Sequence, residues 1–310
     1  GPVGDESANV VLRQVGKIPK FNFEVKDHLE LGESLGIIDT ERAAKVSGSR
    51  FAYLKGELAK MEFALVQLVM DAAQKEGFIP VVPPVMIRAE MMEKMGYVDT
   101  KEDLAERYYL DKEKMFLVGT AEQAIGPMHE GEIFKEAELP RRYAAFSTCF
   151  REEAGSYGKD TKGILRVHQF DKIELFSICH PDKSEEEHRF LVSFEEKLWQ
   201  ALKIPHQVVQ LSTGDMSAPS ATTIDIEAWL PGQEKYREVS SASNTTDFQS
   251  KRLNIRVKGK DGNEFVHMLN ATGFPVGRTI IAILENNQQK DGSVKIPKAL
   301  QKYIGKKNIK

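Results

Sequence analysis

The sequence predicts an α+β domain, a mainly antiparallel sheet flanked by helices, and three observations carry that prediction. Runs of period-two character recur at 144–153, 165–177, 222–230, 236–241, 253–258 and 264–270. Hairpin signals join them, notably the Gly-rich stretch 154–163 and Asp261-Gly262. Helical periods are inserted among these runs and do not alternate with every strand, as a parallel sheet would require. Neither GxGxxG nor GxxxxGK[ST] occurs, which disfavours a dinucleotide fold or a P-loop.

Taken in order, residues 1–24 read as an extended N-terminal segment and 25–310 as the domain proper. A short helical region is expected around His28 to Lys45, broken by Gly32 and Gly36. The first long helix is predicted over 51–76, where Phe51, Leu54, Leu58, Met61, Leu65, Leu68 and Ala72 recur at steps of three and four. A second stripe, Phe63, Val66, Met70 and Ala73, makes this helix apolar on two faces, so it needs two covers: a sheet and, by inference, a second subunit. The following segment 78–87 is strand-like but holds Pro80, Pro83 and Pro84, which restricts it to a sheet edge or an interface. Ser184 with Glu187 suggests a capping box opening a helix through Phe190, Phe194, Leu198 and Ala201. Another helix should start near Gly277-Arg278, and the tail from Lys295 to Lys310 is expected as a terminal helix or a frayed end.

Composition narrows the function. A chain of 310 residues that is 41% hydrophobic and 29% charged can bury a large core. Its formal net charge of -3 excludes a uniformly basic nucleic-acid coat, though not a local basic face. No stretch is long and apolar enough to span a membrane, and GPVGDESANV shows no secretory signal. Cys149 and Cys179 are the only cysteines, without a CxxC, as expected of a cytoplasmic protein without a disulfide framework.

Three constellations suit chemistry. Alternation groups Ser147, Cys149, Arg151 and Glu153 on one strand face and Arg166, His168, Phe170, Lys172 and Glu174 on the next. A solvated sheet face would look similar, but a lone aromatic ring amid charges argues for phosphate and base recognition. The second is Arg237-Glu238-Val239-Ser240-Ser241, whose oxygens suit Mg²⁺. Strict alternation puts Glu238 and Ser241 on opposite faces, so they share an ion only if the strand ends or bulges between them. In the third, Asn270-Ala-Thr272-Gly-Phe-Pro-Val-Gly277-Arg278, a cation in the first helical turn opposes the macrodipole unless an anion lies beside it, or it simply reaches solvent.

Phe150-Arg151-Glu152-Glu153 with the AGSYGKDTKG loop, and GFPVGRTIIAILENNQQ, resemble motifs 2 and 3 of class II aminoacyl-tRNA synthetases; the helix ending in GFIPVVPPVMI resembles motif 1. Thr120-Ala121-Glu122, RVHQFDKIE, DIEAWLPGQ, YREVSS and ENNQQ are similar to the seryl-tRNA synthetase family in particular. The likeness runs over nearly the whole chain, from DESANVV onward.

That resemblance implies a class II synthetase-like fold and an ATP-dependent ligase. Arg151 and Arg278 would be catalytic. The ATP site would comprise Arg151, Glu152, Glu153, Phe170, Glu238, Val239, Ser240, Ser241 and Arg278, with Phe170 and Arg278 sandwiching adenine and Glu153 at its amino group. Glu238 and Ser241 would hold Mg²⁺. Thr120, Ala121, Glu122, Arg151, Glu174, Asn270 and Thr272 would surround the amino acid. Serine, or a related small amino acid, would become an adenylate with release of pyrophosphate and then pass to the 3′ end of tRNA. A homodimer is implied through the 51–76 helix and the proline-rich strand.

The sequence departs from the family in places. Family members carry a long N-terminal coiled-coil arm, and no sustained heptads precede residue 50, so the expectation is a core without that arm whose tRNA transfer is weakened. Ser217-Ile224 lacks a lysine usual near Thr222, Ala242 and Thr245 stand where cysteines are common, and Gly-Phe-Pro at 273–275 is unusual. Drift, a reshaped amino-acid pocket, a relative loading a carrier protein, and a catalytically silent paralogue are the readings these departures leave open.

Overall fold

The computed structural model describes residues 1–154, 162–260 and 262–310. Most of the Gly-rich loop expected at 154–163, and Asp261 of the Asp-Gly hairpin, lie outside the described residues. An eight-stranded sheet dominates. Its strands are β1 (Val10–Val15), β2 (Ile79–Val81), β3 (Arg141–Phe150), β4 (Gln169–Cys179), β5 (His206–Gln210), β6 (Thr222–Leu230), β7 (Lys235–Asn244) and β8 (His267–Pro275). They lie in the order β1-β5-β6-β7-β8-β4-β3-β2. Every pairing is antiparallel except that of β2 with β3. The proline-bearing β2 is therefore an edge strand, as its missing N–H donors require. The segment 1–24 contributes the opposite edge through β1.

Alternation along β4 shows how the sheet divides the molecule. Ile173, Leu175 and Cys179 enter a core built with three helices, α1 (Glu57–Lys75), α2 (Ser184–Leu202) and α3 (Val276–Asn286). Phe176 and Ile178, pointing the other way, join a second core with Ala121, Ile125, Leu253 and Met268. Lys172 and Glu174 share that second face, so the charged residues of the candidate site look away from the helical layer.

Several expectations are corrected in detail. The first long helix begins at Glu57, not at residue 51, because Gly56 at φ 58° interrupts the chain and Tyr53–Leu54 pairs as a strand with Ile38–Asp39. Ser184 and Glu187 do not form a capping box. Ser184 Oγ accepts from Asn244 Nδ2 at 2.6 Å, and Glu187 pairs with Arg142 while Ser177 donates to it. The expected strand 253–258 is split, since Leu253 ends the helix Phe248–Leu253 and only Arg256–Lys258 is extended. The tail is not frayed: after the helix Lys298–Ile304, Asn308–Ile309 pairs with Val294–Lys295. No helix among the described residues is long and apolar enough to cross a membrane.

Candidate active site

The centre of the second face is a buried ion pair. Lys172 Nζ lies 2.6 Å from Glu174 Oε2, and Thr120 Oγ1 donates to the same oxygen at 3.0 Å. Both charged side chains are almost fully enclosed, which excludes the solvated-sheet alternative. Thr120 arrives just ahead of the short helix Glu122–Ile125. Glu122 itself is also buried, and Tyr97 Oη and Gln249 Nε2 donate to its two oxygens at 2.6 and 2.8 Å. Burial, then the nearby charge of Glu174, pushes its carboxyl up to about 7.

Four residues before Glu174 on β4, Phe170 is the second residue of the strand and lies opposite Cys149. The Arg151 guanidinium lies 5.3 Å from its ring centroid and donates to Gly119 O through Nε and Nη2, at 3.3 and 3.2 Å. Strand β3 ends at Phe150, so Arg151 and Glu153 are not on its ladder, although both still line the same cleft. Glu153 adopts φ 52°, a left-handed backbone rare outside glycine, and its carboxylate accepts from Arg166 at 2.8 Å. Phe170 also lines this cleft of about 630 Å³ (its open mouth included), together with Arg278 and Glu238.

Two β-bulges bring the remaining groups to this face. In the β6–β7 pair, Ile226 opposes Ser240 and Glu227 opposes Glu238, leaving Val239 as the extra residue. Ser241 opposes Asp225. Since Asp225 and Glu227 are two apart on β6, their partners Ser241 and Glu238 face one way, which meets the bulge requirement read from the sequence. The Ser241 hydroxyl donates to Asp225, whose carboxyl is pushed well above its usual range by burial and then by Glu238. The cleft walls push Glu238 upward too, but the charges of Arg278, Arg151 and Lys172 outweigh them and hold it below its ordinary value.

In the β4–β8 pair the extra residue is Gly273: Ile173 opposes Phe274, and Glu174 opposes Thr272. Phe274 thereby turns into the helical layer, edge-on to Trp199 at 5.3 Å, while Thr272 turns toward Glu174. A Cβ on Gly273 would meet Val69 Cγ1 at 3.0 Å and Ile173 O at 3.2 Å, so a side chain there would crowd the crossing with α1.

Other predicted residues fall less directly. Val239 lines the cleft, and Asn270 shares the Thr272 face by alternation. Ser240 Oγ instead accepts from Trp199 Nε1 at 3.0 Å in the helical layer, so its hydroxyl does not enter the cleft. Ala121 is buried in the second core, and Glu152 donates its N–H to Glu106 O without lining the cleft. Lys172 and Arg166, named in the sequence as part of the Phe170 strand face but given no role, line the cleft, and Asp225, which was not singled out, stands opposite Ser241. Lys172 and Arg166 carried a signal, their place on the Phe170 face; Asp225 had none, since its strand reads as ordinary alternation. Among the departures, Ala242 lies in the helical core, and Thr245 Oγ1 donates to Met268 O at 2.8 Å and to Gln249 Oε1 at 3.3 Å.

Glu238 and Ser241 offer a carboxylate and a hydroxyl on one face, hard oxygen donors suited to Mg²⁺. No cluster of three or more His, Cys, Asp or Glu side chains able to hold a metal occurs among the described residues. One carboxylate and one hydroxyl are few ligands, a donor set that fits an ion whose other ligands come from substrate phosphates.

Residues 106–287 match the family described as tRNA synthetase class II core domain (G, H, P, S and T). The serine–tRNA ligase of Acidothermus cellulolyticus is 51% identical over 304 residues, covering 98% of this chain and 72% of that protein. That of Cutibacterium acnes is 49% identical over 307 residues, 98% of this chain and 72% of its own. The crystal structure of seryl-tRNA synthetase from Pyrococcus horikoshii complexed with ATP aligns at a TM-score of 0.95 with 43% identity, over 99% of this chain and 74% of that one. With the class II core matched over most of its length and half its residues shared with such relatives, the chain belongs to the serine–tRNA ligase family of class II aminoacyl-tRNA synthetases.

Proposed function

We propose that this chain activates serine with ATP, forming seryl-adenylate and pyrophosphate, and transfers the seryl group to the 3′ end of tRNA. The observation that carries the reading is the single strand face bearing Phe170 at one end and the buried Glu174–Lys172 pair at the other. Four residues at ~3.3 Å each separate them by ~13 Å, about the span from an adenine ring to an amino-acid ammonium joined through one phosphate. Adenine stacks between Phe170 and Arg278, with Glu153 at its amino group, and the serine ammonium pairs with Glu174 beside Thr120 and Thr272.

The serine carboxylate attacks the α-phosphorus in line as the bond to the pyrophosphate oxygen breaks. No side chain becomes covalently attached. Arg151, anchored on Gly119 O, supplies a fixed positive charge where negative charge builds on the phosphoryl oxygens. Glu238 and Ser241 would hold Mg²⁺, which would supply positive charge against the negative charge of the triphosphate.

Serine is favoured over a reshaped specificity because Ala242 is packed in the helical core, away from the cleft, and because relatives matching 98% of the chain are named serine–tRNA ligases. Carrier loading and catalytic silence are not favoured, since relatives matching 98% of the chain are named serine–tRNA ligases. A homodimer through α1 and β2 is part of the proposal: Phe63 is 68% exposed and Val82 80%, an apolar surface that a second copy would cover. Sedimentation at micromolar concentration should give twice the chain mass, and a purely monomeric species would oppose this. Two buried, unpaired cysteines suit a reducing cytoplasm. The catalytic unit proposed for 25–310 takes its edge strand β1 from the segment before it. Incubation with ATP, labelled serine and tRNA should yield seryl-tRNA; formation of neither seryl-adenylate nor seryl-tRNA would overturn the reading.

A further inference from the structure

We propose that Glu195, on α2 behind the sheet, is a positioning residue for the amino-acid pocket, holding the Thr272 backbone where the strand bulges at Gly273. The inference rests on the functional reading above and adds a group that does not touch substrate.

The sheet opens next to Thr272. Pairing between β7 and β8 ends at Ala242 opposite Ala271, and beyond that point the two strands border the cleft. The next amide, Thr272 N–H, donates to Glu195 Oε1 at 2.8 Å. Glu195 is fully buried, as is the amide it satisfies, and a buried N–H left without a partner is costly. Two further residues of α2 grip the other side of the opening. Trp199 Nε1 donates to Ser240 Oγ at 3.0 Å, and His188 Nε2 lies 2.9 Å from Ala242 O. His188, Glu195 and Trp199 follow one another at seven and four residues, so they form one helix face. That face clamps both strands at the point where the pocket begins.

Position matters here because Thr272 stands directly opposite Glu174 in the β4–β8 register. A displaced Thr272 backbone would change the spacing between its side chain and the carboxylate that takes the serine ammonium. Burial, then the charges of Asp225 on β6 and Glu174 on β4, push the Glu195 carboxyl well above the usual range. The Thr272 bond and Lys172 act the opposite way and are outweighed. Its second oxygen, Oε2, has no hydrogen-bond partner among the described residues. An amide should therefore replace it, whereas an apolar side chain of similar volume should not.

The test compares Glu195→Gln and Glu195→Met in serine-dependent pyrophosphate–ATP exchange, with circular dichroism to verify folding. E195Q should keep the serine KM within about twofold, and E195M should raise it about tenfold with the ATP KM within about twofold. If E195M does not fold, Glu195→Asp, which withdraws the oxygen by one methylene, is read the same way. A folded variant lacking the bond whose serine KM is unmoved, or whose serine and ATP KM rise together, overturns the role of Glu195 alone. A wild-type chain without serine-dependent exchange overturns the functional reading and this inference with it.

Discussion

Arg278 and Glu238 are joined twice by one nitrogen: Arg278 Nη1 lies 2.9 Å from the Glu238 carbonyl oxygen and 3.2 Å from Oε2. The side-chain contact is partly solvent-exposed, so it adds little to stability, but it ties the guanidinium to the cleft that Phe170 also lines. Arg278→Ala should lower kcat/KM for exchange by about 10²–10³-fold while changing stability by less than ~1 kcal/mol. Arg151→Ala should behave alike, and thermal melts beside exchange rates check both. Retained activity in either variant would remove that residue from its role.

Glu174 is enclosed with Lys172, so its removal carries a structural penalty that must be separated from function. Glu174→Gln keeps the volume and an acceptor for Thr120 but removes the charge offered to an ammonium. The serine KM should rise by about 30-fold or more while the ATP KM moves little, since truncating a buried charge partner costs at least ~2 kcal/mol. Initial rates at varied serine and varied ATP decide this.

The bulge at Gly273 is sterically exacting. Gly273→Ala would drive a methyl toward Val69 Cγ1 and Ile173 O, and should cost about 1–3 kcal/mol in denaturant melts. Because the bulge also turns Thr272 toward Glu174, the folded variant should lose serine affinity more than ATP affinity. Equal loss of both would mean the bulge does not orient the pocket.

Glu122 makes stability depend on pH. Its folded value of about 7 exceeds its ordinary 4.5, so the native state keeps a proton that the unfolded chain has released. That contribution is complete below about 4.5 and disappears as pH rises through about 7. The stability of wild type relative to Glu122→Gln should fall by up to about 3 kcal/mol over that window. Denaturant melts at pH 5 and 8 measure it, and parallel curves would place the Glu122 carboxyl in its ordinary range.

Much of this was legible in the sequence because strand alternation and helix period are local. The antiparallel sheet, the edge character of the proline-rich strand and the Phe170–Glu174 face all follow from residues close together in the chain. The need for a bulge between Glu238 and Ser241 could also be stated, although its location at Val239 depends on pairing with β6. The capping box failed because Ser184 and Glu187 serve tertiary partners, Asn244 and Arg142, that local pattern does not reveal. Glu195 was equally hidden: in the sequence it is one of several acidic residues on an amphipathic helix, and only packing shows it facing Thr272.

The central claim is serine activation on this sheet, and pyrophosphate–ATP exchange measured with each of the twenty amino acids tests it most directly. Exchange should depend on serine, with every other amino acid far weaker at equal concentration. No exchange with any of them, or a clear preference for an amino acid other than serine, would contradict the account.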